Sequence, residues 1–455
     1  MPEFDFAVIG AGPGGFDAAL RAQELGLKTA LIDKADPGGT CLHSGCIPTK
    51  SLLASTKLIS RMAQAEALGL SFVPPAWDLS SLIQRKNQVV ETLKKGMFEA
   101  VKRSGLTWIS GEASFVDAHR LTVKGKEGSR EVEAKNILIA TGSAPIPFPG
   151  APFDGKKIFS STELLEIKTV LSRLLILGGG VVGVEFASIF QALGTKVTLV
   201  EMLERLIAAE DEEVSRRLES LFSRKGIEIY TGTRVKTLAV RGKGVEAVLE
   251  SGKTLEADSA LVAVGRKPQF ESLNLERAGI KVERGRIEVN EFLETRVTGI
   301  FAIGDVTSRS TGLAHGASAE GMRVAGNLKG PRQKMDYRAI PNCIYTDPEV
   351  ASVGSYRVGG LKAFPDARET KILFSSLGKS QVEGETEGFL KMMASQKDGR
   401  LLGVTAVGAH VTELIHEAVL AVRAGLSVRD LAETVHAHPT ESEILQKAAR
   451  KLFIP

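Results

Sequence analysis

Two of the chain's three cysteines, Cys41 and Cys46, stand five residues apart in the run DPGGTCLHSGCIPTKS, residues 36–51. Metal-binding cysteines usually stand closer and come with a second pair, which this chain lacks. Thioredoxin-type pairs have only two intervening residues. In a regular helix, positions i and i+5 rise ~7.5 Å apart, beyond the ~7 Å between Cα atoms that an unstrained disulfide tolerates. A bridge here needs a bent first turn, which Gly45 and Pro48 allow. Strained disulfides are the labile, catalytic kind. Two thiols at the start of a helix is the plainer reading, and this stretch alone leaves both open.

Thiol–disulfide chemistry also needs a base, because the thiolate is the attacking species. Among seven histidines, His438 is the strongest candidate, since Glu443 follows five residues later in the run HAHPTESE, residues 436–443. At a helix start that carboxylate can reach back, fix the imidazole tautomer and raise its basicity. The plainer reading makes His436, His438 and Glu443 surface and capping groups.

The elements that must position these groups are legible around two glycine turns. Phe4 to Ile9 is an apolar strand leading into Gly10-Ala11-Gly12-Pro13-Gly14-Gly15, followed by a helix closed by Gly26 and a strand, Thr29 to Ile32, ending on Asp33. In such a unit one glycine makes the turn, one lets backbone approach a pyrophosphate, and one lets helix and strand pack closely. The helix N-terminus offers N–H groups and positive dipole to the phosphates, and the acid accepts from ribose hydroxyls. The unit recurs: Leu174 to Leu177 lead into Gly178, Gly180 and Gly183, a helix runs to Gly194, and Lys196 to Val200 end on Glu201. Asp33 lies 23 residues after Gly10, and Glu201 lies 23 after Gly178. The shared spacing indicates two dinucleotide sites. A carboxylate at 201 suits free ribose hydroxyls, hence NAD rather than NADP, with nearby Arg205 as the one contrary charge.

Two further strands, Asn136 to Ala140 before Thr141-Gly142-Ser143, and Ala260 to Val264 before Gly265-Arg266, are expected to close the nucleotide units. The proline-rich stretch from Ala144 to Gly150 reads as an interdomain linker. Residues 52–103 read as helical with a break near Val73-Pro74-Pro75. Residues 297–305 form a strand ending in Gly304-Asp305, before a helix from Gly316 to Ala325; Asp305 also suits a helix N-cap. From about Ile340, four short strand-like runs, two helices and a last helix opened by HPTESE indicate an α+β domain. Cys343 reads as a core thiol.

The run GGTCLHSGCIPTK resembles the redox-active disulfide of the class I pyridine nucleotide–disulfide oxidoreductases, with His43 and Ser44 where the commoner form has Asn and Val. Both glycine turns and HPTESE fall in that family's order, so the resemblance spans the chain. It implies an α/β fold with two Rossmann-like domains, one for FAD and one for NAD, and a C-terminal α+β dimerisation domain. The implied boundaries are 1–145 and 270–339 for the FAD-binding and central part, 146–269 for NAD, and 340–455 for the interface domain. It implies that Cys41 is the interchange thiol, that Cys46 lies against the flavin, and that His438, oriented by Glu443 and preceding a cis proline, is the base. Lys50, paired with Glu185, is placed beside flavin N5. FAD contacts are implied for Gly10, Gly12, Gly15, Asp33, Thr40, Lys50, Ala113, Thr141, Gly142, Asp305 and Ala314. NAD contacts are implied for Gly178, Gly180, Gly183, Glu185, Glu201, Val235 and Gly265. The implied reaction oxidises dihydrolipoamide, carried on a lipoyl domain or lipoylated carrier protein, and reduces NAD⁺. The implied assembly is a homodimer with shared active sites, docked on the core of a 2-oxo acid dehydrogenase complex. Within the family, glutathione-specific members carry basic residues where this chain has Glu201, and mercuric reductases carry a C-terminal cysteine pair that is absent here. A purely structural subunit of such a complex is the alternative of a different class.

Composition agrees with an enzyme of this kind. The chain has 455 residues, 43% hydrophobic and 25% charged, enough for about three domains. Its 58 basic and 54 acidic residues are too evenly mixed to argue for nucleic acid. No charge-free apolar run reaches the ~18 residues of a membrane span. The acids in MPEFDFAVIG read against a signal peptide. Three cysteines in a chain this long fit a reducing compartment, and the expected location is the cytoplasm.

Overall fold

A computed structural model describes residues 2–62, 65–71 and 76–453. The chain divides into two compact units, one comprising Met1–Pro48, Gln84–Ile146 and Gly265–Asp336, the other Thr49–Ile83, Pro147–Val264 and Tyr337–Pro455. Val73, Pro74 and Pro75 lie outside the described residues, so the expected break there has no structural counterpart to report. Among the described residues no helix is long and apolar enough to cross a membrane.

In the first unit, parallel strands stand in the order Thr107–Ser110, Thr29–Asp33, Phe4–Ile9, the end of Gly128–Ile139, and Ile300–Ala302. Ala7, Val8, Leu31, Ile32, Leu138 and Ile139 are fully buried. Successive buried residues mark a sheet covered on both faces, which is why these strands read as continuous apolar runs. An antiparallel meander, Glu112–Phe115, Arg120–Gly125 and the first half of Gly128–Ile139, extends the sheet. Helices Pro13–Glu24 and Ala314–Lys329 pack so closely that a Cβ on Gly321 would meet the carbonyl oxygen of Gly14 at 2.2 Å.

The second unit repeats this plan. Its parallel strands run Glu228–Tyr230, Lys196–Val200, Arg173–Leu177, Ser259–Val262 and Ile158–Phe159, with a meander of Val235–Arg241, Gly244–Leu249 and Thr254–Ala257. The same unit contains an antiparallel sheet in the order Asn342–Ile344, Glu349–Gly354, Leu401–Gly408, Phe389–Ser395 and Ala367–Leu373. Helices Val411–Ala424, Val428–Glu433 and Glu443–Phe453 bury Ile415, Ala418, Leu431, Ile444 and Leu445 in its core. This is the expected class: two dinucleotide-type α/β folds and an α+β domain.

Three local expectations change. The strand expected at Asn136 begins at Gly128, because its first half is polar and carries no apolar run to signal it. Part of the expected linker is ordered pairing: Ser143–Pro145 lies antiparallel to Arg266–Pro268, continued by Ile146 N–H donating to the Gly265 carbonyl at 3.1 Å. Asp305 caps no long helix; it sits in a single 3₁₀ turn, Gly304–Val306, while the helix at Ala314 is preceded by Leu313.

Close approach at the second glycine turn gives a test. A Cβ on Gly183 would lie 1.8 Å from the Gly178 carbonyl oxygen, whereas nothing lies within 4 Å of a Cβ on Gly180. Gly183→Ala is expected to cost about 1–3 kcal/mol and lower Tm by several degrees, with Gly180→Ala leaving Tm near the parent value. Equal melting curves for the two variants in a calorimeter would contradict this packing.

Candidate active site

Each glycine turn is fixed by backbone contacts. A Cβ on Gly10 would meet the Ala140 carbonyl oxygen at 2.4 Å, and one on Gly178 would meet that of Ala263 at the same 2.4 Å. Gly15 and Gly183 press against Gly10 and Gly178 in turn, with built Cβ atoms at 1.9 and 1.8 Å from their oxygens. The middle glycines differ. Gly12 and Gly180 are the N-caps of the following helices, and neither end has a side-chain cap; a Cβ on Gly180 would have nothing within 4 Å, and one on Gly12 would meet only Gly39 Cα, at 3.9 Å. Uncapped N–H groups facing open space suit a pyrophosphate.

The acids at the strand tips hold these turns. Asp33 accepts from Ala11 N–H at 2.6 Å and Ala35 N–H at 3.0 Å; Glu201 accepts from Gly179 N–H at 2.5 Å and Leu203 N–H at 2.7 Å. Each carboxylate keeps further lone pairs for ribose hydroxyls. Arg205, the contrary charge, is turned into its own loop, its Nη2 donating to the carbonyls of Ala208 at 2.8 Å and Glu210 at 3.3 Å. Its guanidinium is thereby committed to backbone. Val235 opens the first strand of the meander, half-buried.

The cysteine run sits on the first turn. Gly38 N–H donates to the Ala11 carbonyl at 2.8 Å, and a Cβ on Gly39 would strike Gly12 Cα at 2.6 Å. Cys41 belongs to the short helix Gly39–Ser44, Cys46 opens the helix Cys46–Met62, and the two helices are separated at Gly45, with φ −137 and ψ −110. The bend required by the five-residue spacing is therefore present at the expected glycine. Both cysteines are half-buried and Thr40 is exposed. His43, the departure from the commoner form, turns back on its own loop, with Nε2 3.0 Å from the Pro37 carbonyl.

Other first-unit candidates line the ends of the sheet. Ala113 is buried in the meander. Thr141 bonds the Gln269 carbonyl, Gly142 takes φ 69, Gly265 leads the return strand, and Ala314 begins its helix. Asp305 accepts from the Ser143 hydroxyl, and Arg266 Nε donates to the same hydroxyl at 2.8 Å. Burial lowers the Arg266 pKa, partly offset by the facing Asp305 and then Cys46. Ser143 and Arg266 lie 123 residues apart, and no local spacing in the sequence signals this chain of bonds.

The second unit holds two acid–base pairs. Lys50 Nζ lies 2.8 Å from both carboxylate oxygens of Glu185, whose side chain is only 4% exposed. Lys50 is 30% exposed, so it is removal of the lysine that would strand a buried charge, on Glu185. His438 Nδ1 lies 3.1 Å from Glu443 Oε1, and the His438–Pro439 bond is cis. The Thr440 N–H, and then His438, hold the Glu443 carboxyl below its ordinary value, so it is ionised throughout the neutral range. With Nδ1 donating to that carboxylate, Nε2 is the nitrogen left to accept a proton. Its side chain is 76% exposed.

Residues 4–321 match the pyridine nucleotide-disulphide oxidoreductase family, and residues 340–449 match that family's dimerisation domain. The chain is a pyridine nucleotide–disulphide oxidoreductase. A dihydrolipoyl dehydrogenase of Chlamydia muridarum is 37% identical to it over 98% of this chain and 96% of its own, and one of Bacillus subtilis is 39% identical over 97% of each. Among solved structures, LpdA from Mycobacterium tuberculosis superposes with a TM-score of 0.93 at 28% identity, covering 99% of this chain and 100% of its own. RclA from Escherichia coli, an HOCl-induced flavoprotein disulfide reductase, gives 0.86 at 28% identity over 98% and 99%. This oxidoreductase family uses FAD and NAD(H), two dinucleotides for two turns whose open N-termini and tip carboxylates fit them. The oxidoreductase also carries a domain built for dimerisation.

Cys343 belongs to the second unit, on the strand Asn342–Ile344. Burial, and then the carboxylates of Glu349, Glu210 and Glu413, push its thiol up to about 12. Because the thiolate is the reactive form, Cys343 is expected to resist iodoacetamide in the folded oxidoreductase at pH 8, gaining reactivity only as pH climbs toward 12. Rapid native labelling of Cys343 at pH 8, read by peptide mapping, would contradict that assignment.

Proposed function

We propose that this chain oxidises protein-bound dihydrolipoamide to lipoamide and delivers the electrons to NAD⁺. The observation that carries the reading is the His438–Glu443 pair, with one imidazole nitrogen committed and the other available. One substrate thiol loses its proton to His438 Nε2, and its sulfur attacks Cys41. A substrate–Cys41 bond forms as the Cys41–Cys46 bond breaks, and Cys46 leaves as thiolate. The second substrate thiol then attacks the substrate's own sulfur in the mixed disulfide, closing the lipoamide ring as the substrate–Cys41 bond breaks; its proton goes to the departing Cys41, which leaves as the thiol. Bound FAD would supply the two-electron relay between the Cys41–Cys46 thiols and NAD⁺. Gly12 and Gly180, which leave the helix N-termini without side-chain caps, would hold the two pyrophosphates, while Asp33 and Glu201 would take the riboses. Thr40, Ala113, Thr141, Gly142, Asp305 and Ala314 would line the flavin site, and Glu185, Val235 and Gly265 the nicotinamide site. Lys50 would stand beside flavin N5, one helical turn beyond Cys46. The cofactors supply the hard chemistry; the protein aligns the redox couples.

The dimerisation domain supports a homodimer in which His438 of one chain serves the cysteine pair of the other. Lipoylated carriers of a 2-oxo acid dehydrogenase or glycine cleavage complex are the partners this reading implies, and the cytoplasm is its compartment. Full-length likeness to dihydrolipoyl dehydrogenases favours lipoamide over glutathione disulfide.

Steady-state turnover of dihydrolipoamide with NAD⁺ should far exceed that of glutathione disulfide with NADPH; the reverse ranking would end the assignment. His438→Ala is expected to slow dihydrolipoamide oxidation by ~10²–10⁴, and Cys46→Ser to abolish it while the protein still binds yellow FAD.

A further inference from the structure

Lys50 and Glu185 are joined by a third residue that no sequence pattern singled out. Tyr345 touches both partners. Its backbone N–H donates to Glu185 Oε1 at 3.0 Å, and its ring lies beneath the ammonium, with Lys50 Nζ 4.6 Å from the centroid. The ammonium thus has a buried carboxylate on one side and an aromatic face on the other. A lysine is a compact charge on a flexible stem, and two hydrogen bonds to one carboxylate leave it free to pivot. A ring held by its own backbone bond to that carboxylate removes the pivot.

We propose that Tyr345 is the positioning residue for Lys50: one residue clamps the acid with its main chain and the base with its ring, fixing where the positive charge stands. Burial, and then Cys343 and the carboxylates of Glu349, Glu413 and Glu185, push the tyrosine hydroxyl up to about 12. At neutral pH the cation therefore meets a neutral π-face. That attraction is electrostatic and grows on desolvation; Phe retains it and an aliphatic side chain does not. The inference rests on the reading above that Lys50 stands beside the flavin. A fixed positive charge there favours the reduced, more negative cofactor, so a loosened Lys50 makes the cofactor harder to reduce.

The test is the midpoint potential of the FAD-loaded protein, measured against a reference dye for the parent, Lys50→Met, Tyr345→Leu and Tyr345→Phe. Lys50→Met should lower the potential. Tyr345→Leu should lower it in the same direction by a smaller amount, about threefold in the reduction equilibrium or ~14 mV for a two-electron couple. Tyr345→Phe should match the parent. Tyr345→Met, a second way to remove the π-face, guards against a leucine variant that fails to hold FAD. An unchanged potential in the leucine and methionine variants beside a shifted Lys50→Met would overturn the role of Tyr345 and leave Lys50 standing. A phenylalanine variant that behaves like leucine would overturn it too, since the hydroxyl and not the face would then matter. No shift even in Lys50→Met would remove Lys50 from the flavin and the inference with it.

Discussion

A glycine pressed against a strand-end carbonyl, twice in one chain, is the constraint on which the rest depends. Only at Gly10 and Gly178 can the turn leave its strand close enough to Ala140 and Ala263, each with positive φ, to aim a helix N-terminus over the edge of the parallel sheet. Asp33 and Glu201 then tie the second residue of each turn, Ala11 and Gly179, to the tip of the next strand. The same bond in both places explains the equal spacing of acid and glycine. It also means that each carboxylate holds its turn while keeping lone pairs for the ribose contact proposed for it.

Upon this frame the chemistry-bearing groups are placed by short local devices. Gly38 and Gly39 bring the cysteine run against the first turn, and Gly45 breaks the helix between Cys41 and Cys46. The two acid–base pairs differ in exposure. Glu185 is drawn inside, where its charge persists only with the partly exposed Lys50 beside it. His438 stays open, with Glu443 fixing one nitrogen, an exposure consistent with the base role proposed for it.

Much of this was legible because backbone demands leave strong marks on sequence. Glycines at fixed offsets, an acid at a strand tip and a histidine followed by Pro and Glu are local patterns. Interactions between distant segments leave no such mark. The pairing of Ser143–Pro145 with Arg266–Pro268 looked like a proline-rich linker, since three residues of ladder are too few to show an alternation. Asp305 has the residue type of a cap, yet its carboxylate is spoken for by Ser143, which lies 162 positions earlier. Arg205 has the charge to attract a 2′-phosphate, yet its guanidinium bonds the carbonyls of Ala208 and Glu210, which its residue type alone does not reveal. Tyr345 was invisible for the same reason: its partners are 160 and 295 residues away, and only the fold brings the ring under Lys50.

The central claim is that electrons pass between a nicotinamide and the Cys41–Cys46 pair. Its most direct measurement is alkylation of the FAD-loaded protein without oxygen, before and after one equivalent of NADH, with peptide mapping of the cysteines. The expected result is that Cys41 and Cys46 resist the reagent beforehand and become alkylated only after NADH. Full modification of both without NADH, or of neither after it, would contradict the claim.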